Sequence, residues 1–183
     1  MAHNFGPASR NEATLFGSSR PGYSGKNISP AEVQVWNRFM QENGIQRVVC
    51  LLPKSQLAYY REDLLESHRK AFGSDNVFSE PIEDFHLITP ANLKKVLGFL
   101  KESERLSEKV VVHCSAGIGR TGLVLAAWLV YARGFGVQEG IEAIMKSEPP
   151  RNPLEAVGTP GITRDDVLDL LKSCTPTQGE SHG

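Results

Sequence analysis

The chain has 183 residues, 40% of them hydrophobic and 22% charged, which suits one domain with a sizeable buried core. A formal net charge of −1 excludes the strongly basic field that gathers nucleic acid or an anionic membrane, so any anion binding must be local. The longest apolar run, Leu123 to Ala132, is about half of what a membrane span requires.

No N-terminal stretch joins a basic region to a long apolar run and a small-residue cleavage site, so a soluble protein without a secretory signal is expected. The cysteines, Cys50, Cys114 and Cys174, form neither a disulfide framework nor a paired zinc spacing. An odd count fits a reducing compartment, with the cytoplasm as the expected location.

Residues 1–28 are rich in Gly, Pro, Ser and Asn and read as an irregular arm with little visible chemistry. A helix opens at Ser29, with Pro30 in its first turn and Glu32 completing a capping box, and stops near Asn43-Gly44. Ile45 to Leu52, closed by Pro53, suits a buried strand. Leu57, Tyr60, Leu64 and Leu65 then recur at helical spacing up to Gly73, and Val77 to Pro81 is short enough for a strand.

Thr89-Pro90 opens a further helix, and Lys109 to His113 forms the next strand. A long apolar helix is expected from Gly119 to Arg133, with others near Val137 to Ser147 and Thr163 to Ser173. The domain is thus placed at residues 29–173, and 174–183 are expected to form a flexible polar tail. Strands alternating with helices predict an α/β fold with a central, mostly parallel sheet flanked by helices. In such folds ligands bind beyond the carboxyl ends of the strands.

That rule directs attention to His113-Cys114-Ser115-Ala116-Gly117-Ile118-Gly119-Arg120-Thr121-Gly122, between a buried strand and an apolar helix. A compact turn there, with Gly117 and Gly119 permitting unusual dihedrals, lets the amides of Ser115, Ala116, Gly117, Ile118 and Gly119 converge on one anion. The same field favours the ionised form of Cys114, since such surroundings bring a thiol from about 8.5 to roughly 3.5–7.5. Arg120 brings a planar fork suited to two phosphate oxygens. The Thr121 hydroxyl is placed to donate to the Cys114 sulfur, whereas His113 is expected to fix the loop through hydrogen bonds.

These ten residues resemble the cysteine-x5-arginine signature of the protein tyrosine phosphatase superfamily, and the short chain resembles its small dual-specificity members. The resemblance implies a protein phosphatase that hydrolyses phosphate monoesters through a cysteinyl-phosphate, with Cys114 as nucleophile and Arg120 as clamp. It implies no metal and no other cofactor. A general acid is expected from Glu80-Pro81-Ile82-Glu83-Asp84-Phe85-His86, about thirty residues before Cys114, much like the family's mobile acid loop. Asp84 is preferred to Glu83 and His86.

Ala116 and Ile118 stand where phosphoinositide-type members carry lysines, so a phosphorylated protein or a small phosphate ester is the expected partner, with no nucleic acid, no membrane and a monomeric state. Gly117, Gly119 and Gly122 also satisfy Gly-x-Gly-x-x-Gly. The acidic residue that a dinucleotide site requires is missing, because the nearest candidate, Glu139, opens a helix. A non-catalytic phosphate-binding module, or a phosphatase acting on a non-protein phosphate ester, is the other alternative. Cys50 reads as a small core residue or as an oxidation partner of Cys114, and Cys174 as an incidental thiol.

Overall fold

The structure, a computed structural model, describes residues 2–175. Strands β1 (Gly6–Pro7), β2 (Leu15–Ser19), β3 (Ile45–Cys50), β4 (Val77–Ser79) and β5 (Lys109–Cys114) form one sheet in the order β1-β2-β5-β3-β4. β2, β5, β3 and β4 run parallel, and β1 is antiparallel at the edge. The helices are α1 (Pro30–Glu42), α2 (Lys54–Leu57), α3 (Leu64–Phe72), α4 (Pro90–Arg105), α5 (Gly119–Arg133), α6 (Val137–Met145) and α7 (Arg164–Lys172).

The strands sort their residues between two apolar layers with period two. Val49, Leu51, Val110 and Val112 pack under α4, α5 and α7, whereas Val48 and Val111 face Trp36 and Met40 of α1 and Phe72 of α3. Burial on both faces explains why β5 reads as an unbroken valine run. Behind it, α5 is buried from Gly119 through Val130, so it is apolar all round rather than amphipathic.

The largest departure from expectation is the arm at residues 1–28, which supplies β1 and β2. Leu15-Phe16-Gly17-Ser18-Ser19 looks turn-like because its small residues are the ones on which other groups rest. A Cβ on Gly17 would meet the Arg151 guanidinium at 2.6 Å, and Ser18 backs onto Gly117. Glu12 fixes the preceding turn by accepting the Thr14 and Leu15 amides and pairing with Arg133 at 3.0 Å.

The helix expected from Leu57 to Gly73 is instead two pieces. The link between α2 and α3 is held by the Ile28 amide donating to Tyr59 O (2.8 Å) and the Arg61 amide donating to Ile28 O (3.0 Å). Asp63 caps α3 through the Glu66 amide, which makes a second helix start. Cys174 is buried beneath α7 and belongs to the main core, contrary to its reading as an incidental thiol. The rest of the expected tail, residues 176–183, lies outside the described residues.

His68 of α3 and His113 of β5 lie wholly buried, 5.4 Å apart, against Trp36. Packing does most to hold His113, whose ring nitrogens meet the Cys114 backbone only in poor hydrogen-bond geometry. Burial pushes its pKa down to about 3 and holds His68 well below its usual value. The unfolded chain therefore takes up protons below pH 6.5 while the folded one does not. Folding stability should fall on acidification from pH 6.5 toward 3, by up to ~1.4 kcal/mol per pH unit for each histidine. Denaturant midpoints between pH 7 and 5 measure this, and His68→Gln should flatten the slope.

Candidate active site

Four segments at the carboxyl ends of parallel strands meet at one end of the sheet: Ser18 to Arg20, closing and following β2, Gln56 after β3, Ile82 to Asp84 after β4, and Ser115 to Arg120 after β5. The first of them shapes the last. The Arg20 amide donates to Ser115 O (3.0 Å), and Asn4 Nδ2 donates to Ala116 O (3.0 Å) and Gly117 O (3.5 Å). Because C=O and N–H point opposite ways in a trans peptide, the amides of Ala116, Gly117 and Ile118 face the other side, into the hollow.

Helix α5 begins at Gly119 with no side-chain cap, so its first amides extend the same set of donors. Gly117 has φ +75° and Gly119 lies under Glu155, whose Oε2 stands where a Cβ would be. Each glycine thus answers a specific conformational or steric demand.

Cys114 ends β5 at the mouth of this cradle and is 2% exposed. Arg120, six residues on, is 4% exposed and held along one side: Nη1 donates to Gln56 Oε1 (3.0 Å) and to Ile82 O (2.9 Å). Its Nη2 pairs with Asp84 Oδ1 at 3.1 Å, and its Nε is buried with no partner among the described residues. Gln56 Nε2 reaches the other Asp84 oxygen at 3.4 Å.

Of the three acid candidates, Asp84 is thus the one carried to Arg120. Glu83 forms no ion pair among the described residues, and His86 Nδ1 lies 2.8 Å from the Asp84 carbonyl oxygen. The acid loop turns sharply there, with Phe85 at φ 58° and exposed. Thr121 is buried, but its hydroxyl has no partner among the described residues, so the expected bond to the Cys114 sulfur is not formed. Burial pushes the Cys50 thiol up to about 12, which keeps it protonated, and the three thiols are free.

Several site residues escaped sequence reasoning. Gln56 and the Ile82 carbonyl position Arg120, while Asn4 and Arg20 turn the cradle. Glu155 follows the turn after α6 and lines a small hollow beside the cradle with Phe85, His86 and Arg120. Burial first, and then the nearby Asp84 charge, raise its pKa, while Arg120 and the Gly119 amide act the other way. The one available signal was topological: residues just past parallel strands gather at the same end. Two roomier surface hollows, of about 630 and 750 Å³, lie between α1 and α3 and beside α6, away from Cys114.

The fold and the order of residues around this site are those of the protein tyrosine phosphatase superfamily. More narrowly, the chain belongs to the dual specificity phosphatase, catalytic domain family, whose model matches residues 31–154. It is 40% identical over 58 residues to phosphatidylglycerophosphatase and protein-tyrosine phosphatase 1 of Mus musculus, covering 32% of this chain and 30% of that protein. It is also 36% identical over 62 residues to dual specificity protein phosphatase 15 of Rattus norvegicus, covering 34% and 26%. The chain therefore spans less than a third of the length of these curated relatives.

Among solved structures, Tk-PTP in the active form superposes with a TM-score of 0.69 at 23% identity, over 95% of this chain and 97% of that one. PTPMT1 in complex with PI(5)P gives 0.68 at 19% identity, over 93% of both chains. At such identities the likeness establishes the shared fold.

Gly117 is the position where the cradle tolerates least. A Cβ there would run into the Ser18 carbonyl at 2.5 Å and the Ser19 amide at 2.6 Å, on a backbone that L-residues already resist. Gly117→Ala should lower stability by roughly 1–3 kcal/mol. It should also weaken vanadate binding more than tenfold, as read by calorimetric titration.

Proposed function

We propose that this chain is a protein phosphatase of the tyrosine or dual-specificity type, hydrolysing phosphate monoesters through a covalent cysteinyl-phosphate. The observation that carries the reading is the state of Arg120. One side of its guanidinium is committed to Gln56 and Ile82, whereas Nε is unpartnered and Nη2 is held only by a carboxylate that is 45% exposed. Two charge-assisted donors are therefore free to receive phosphate oxygens once Asp84 yields its place.

In the first step the ionised Cys114 sulfur attacks phosphorus, the bond to the leaving oxygen breaks, and protonated Asp84 gives that oxygen its proton. In the second, water attacks the phosphocysteine, Asp84 takes the water's proton, and the sulfur leaves as the anion with release of inorganic phosphate. Arg120 and the amides of Ser115 to Gly119 neutralise the charge of the transferring group throughout. Gln56 holds Asp84 beside the site while phosphate displaces it from Arg120. Thr121, buried and unpartnered beside the cradle, donates to the sulfur as it departs. These donors are anion binders, so turnover should persist in excess EDTA.

Cys114→Ser should abolish hydrolysis of p-nitrophenyl phosphate while the variant still binds vanadate. Asp84→Asn should lower kcat on phosphoserine or phosphothreonine peptides by about 10²–10⁴. The loss should be smaller on p-nitrophenyl phosphate, whose leaving group needs less help. An Asp84→Asn enzyme with unchanged rates on both would remove Asp84 from the acid role.

A second reading, a phospholipid or other non-protein phosphate ester as substrate, is favoured by the mouse relative's name and by the PI(5)P complex of PTPMT1. Against it, Ala116 and Ile118 offer no cation to further phosphates. Rates measured side by side on phosphotyrosine peptides, phosphoserine or phosphothreonine peptides and soluble inositol phosphates separate the two.

A further inference from the structure

Two guanidinium groups behind the cradle have no acidic partner. Arg20 is 3% exposed and donates to the carbonyl oxygens of Pro21, Gly22, Tyr23 and Gly25 and to Ser115 Oγ at 3.3 Å. Arg151 is 2% exposed and donates to the carbonyl oxygens of Asn4, Gly6, Gly17 and Pro149, with its Nε unpartnered. Other arginines set into the fold are compensated: Arg47 by Glu108, Arg133 by Glu12 and Glu104, Arg120 by Asp84. Among the described residues neither Arg20 nor Arg151 meets a carboxylate.

A buried charge surrounded only by neutral dipoles is costly, so a fold that keeps two of them near one point invites a counter-charge there. Both brace the cradle, one directly and one through its supports. Arg20 touches Ser115 directly, and its ring neighbours Tyr59 and Tyr60, at 5.1 and 5.9 Å, close its other side. Arg151 holds Gly17 O (2.8 Å), next to the Ser18 backbone that supports Gly117, and Asn4 O (3.0 Å), whose side chain turns the Ala116 carbonyl.

We propose that Arg20 and Arg151 are positioning residues whose buried charges are balanced by the ionised Cys114 sulfur, and during turnover by the bound phosphoryl group. They act without touching the substrate, by making the anionic sulfur the preferred state of the cradle. The proposal rests on Cys114 being the nucleophile, and it assigns part of that sulfur's ionisation to the segments after β2 and after α6 rather than to the loop alone. In accord with it, burial lowers the Arg151 pKa to about 10, and a charged Cys114 opposes that fall. The Arg20 charge also reaches the buried ring of His113, the residue before the nucleophile.

The charged and titratable groups around Cys114 are Arg20, Arg120, Arg151, Asp84 and Glu155, with His113 and Cys50 held neutral by burial. Changing one arginine at a time therefore leaves the rest as a constant background.

The test is the pH dependence of Cys114 alkylation by iodoacetamide in the full chain, with the modified cysteine located by mass spectrometry. Arg20→Met and Arg151→Met should each move the acidic limb upward by about half to one pH unit, a three- to tenfold slower reaction at a pH on that limb. Arg20→Lys and Arg151→Lys should restore most of the wild-type profile. Should the methionine variants not fold, Arg→Gln at each position, which keeps part of the hydrogen bonding, should still show the shift that Lys does not.

Folded, charge-free variants with the wild-type profile would overturn the proposal, since a purely structural arginine would alter stability and leave sulfur ionisation in place. Alkylation needs no turnover. A chain that reacts as described yet cleaves no phosphate ester would sink the phosphatase reading and leave this inference standing.

Discussion

The constraint on which the structure depends is the outward turn of three carbonyl groups. Ser115, Ala116 and Gly117 give their oxygens to the Arg20 amide and the Asn4 side chain, and their peptide planes have no freedom left to point those oxygens into the hollow. A cradle of amides is then a geometric consequence. Without such anchors a glycine-rich loop would sample many arrangements, because the residues that permit the needed dihedrals permit others as well. The loop's shape is therefore stored in a segment about a hundred residues away, whose own contacts, Ser18 and Ser19 hydroxyls to His3 O and the Trp36 indole to Ser19 O, fix it against α1.

The same economy governs the charges. Arg120 is tied on one side by Gln56 and Ile82 and on the other only by the half-exposed Asp84 carboxylate, so one residue is both braced and left with exchangeable donors. Its pairing with Asp84 gives the buried cation a partner before substrate arrives, which limits the cost of holding a guanidinium 4% exposed. On the proposed mechanism, substrate exchanges one anion for another instead of placing charge in a dry pocket, with Gln56 Nε2 3.4 Å from the released Asp84 carboxylate.

The fold around the loop was legible in the sequence wherever it is encoded in contiguous residues. Cys114 through Thr121 could be placed between β5 and α5, because a strand, a tight turn and a helix N-terminus leave recognisable residues in a fixed order. Of the acidic loop, Asp84 is the residue that meets Arg120. What remained hidden reaches the site through tertiary contacts. Asn4 and Arg151 act across separations of 112 and 134 residues, and each is an ordinary polar residue in its local context. β2 was hidden for a related reason: Gly17 and Ser18 are small to receive Arg151 and Gly117, so the features that make the strand useful erase its hydrophobic signature.

The two parts of the chain that were hardest to read, the N-terminal arm and the turn after α6, are the parts that contribute buried cations without acidic partners. Strand and helix propensities reward burying apolar surface, and they carry no information about where a fold tolerates uncompensated charge. A counter-ion offsets such charge, and both cations brace the backbone that supports the loop beginning at Cys114. The requirement that positions Arg20 and Arg151 is thus electrostatic and belongs to the site, even though neither residue lines it. A reading confined to the loop leaves both arginines without a role, and the proposal gives them one as counter-charges to the sulfur that ends β5.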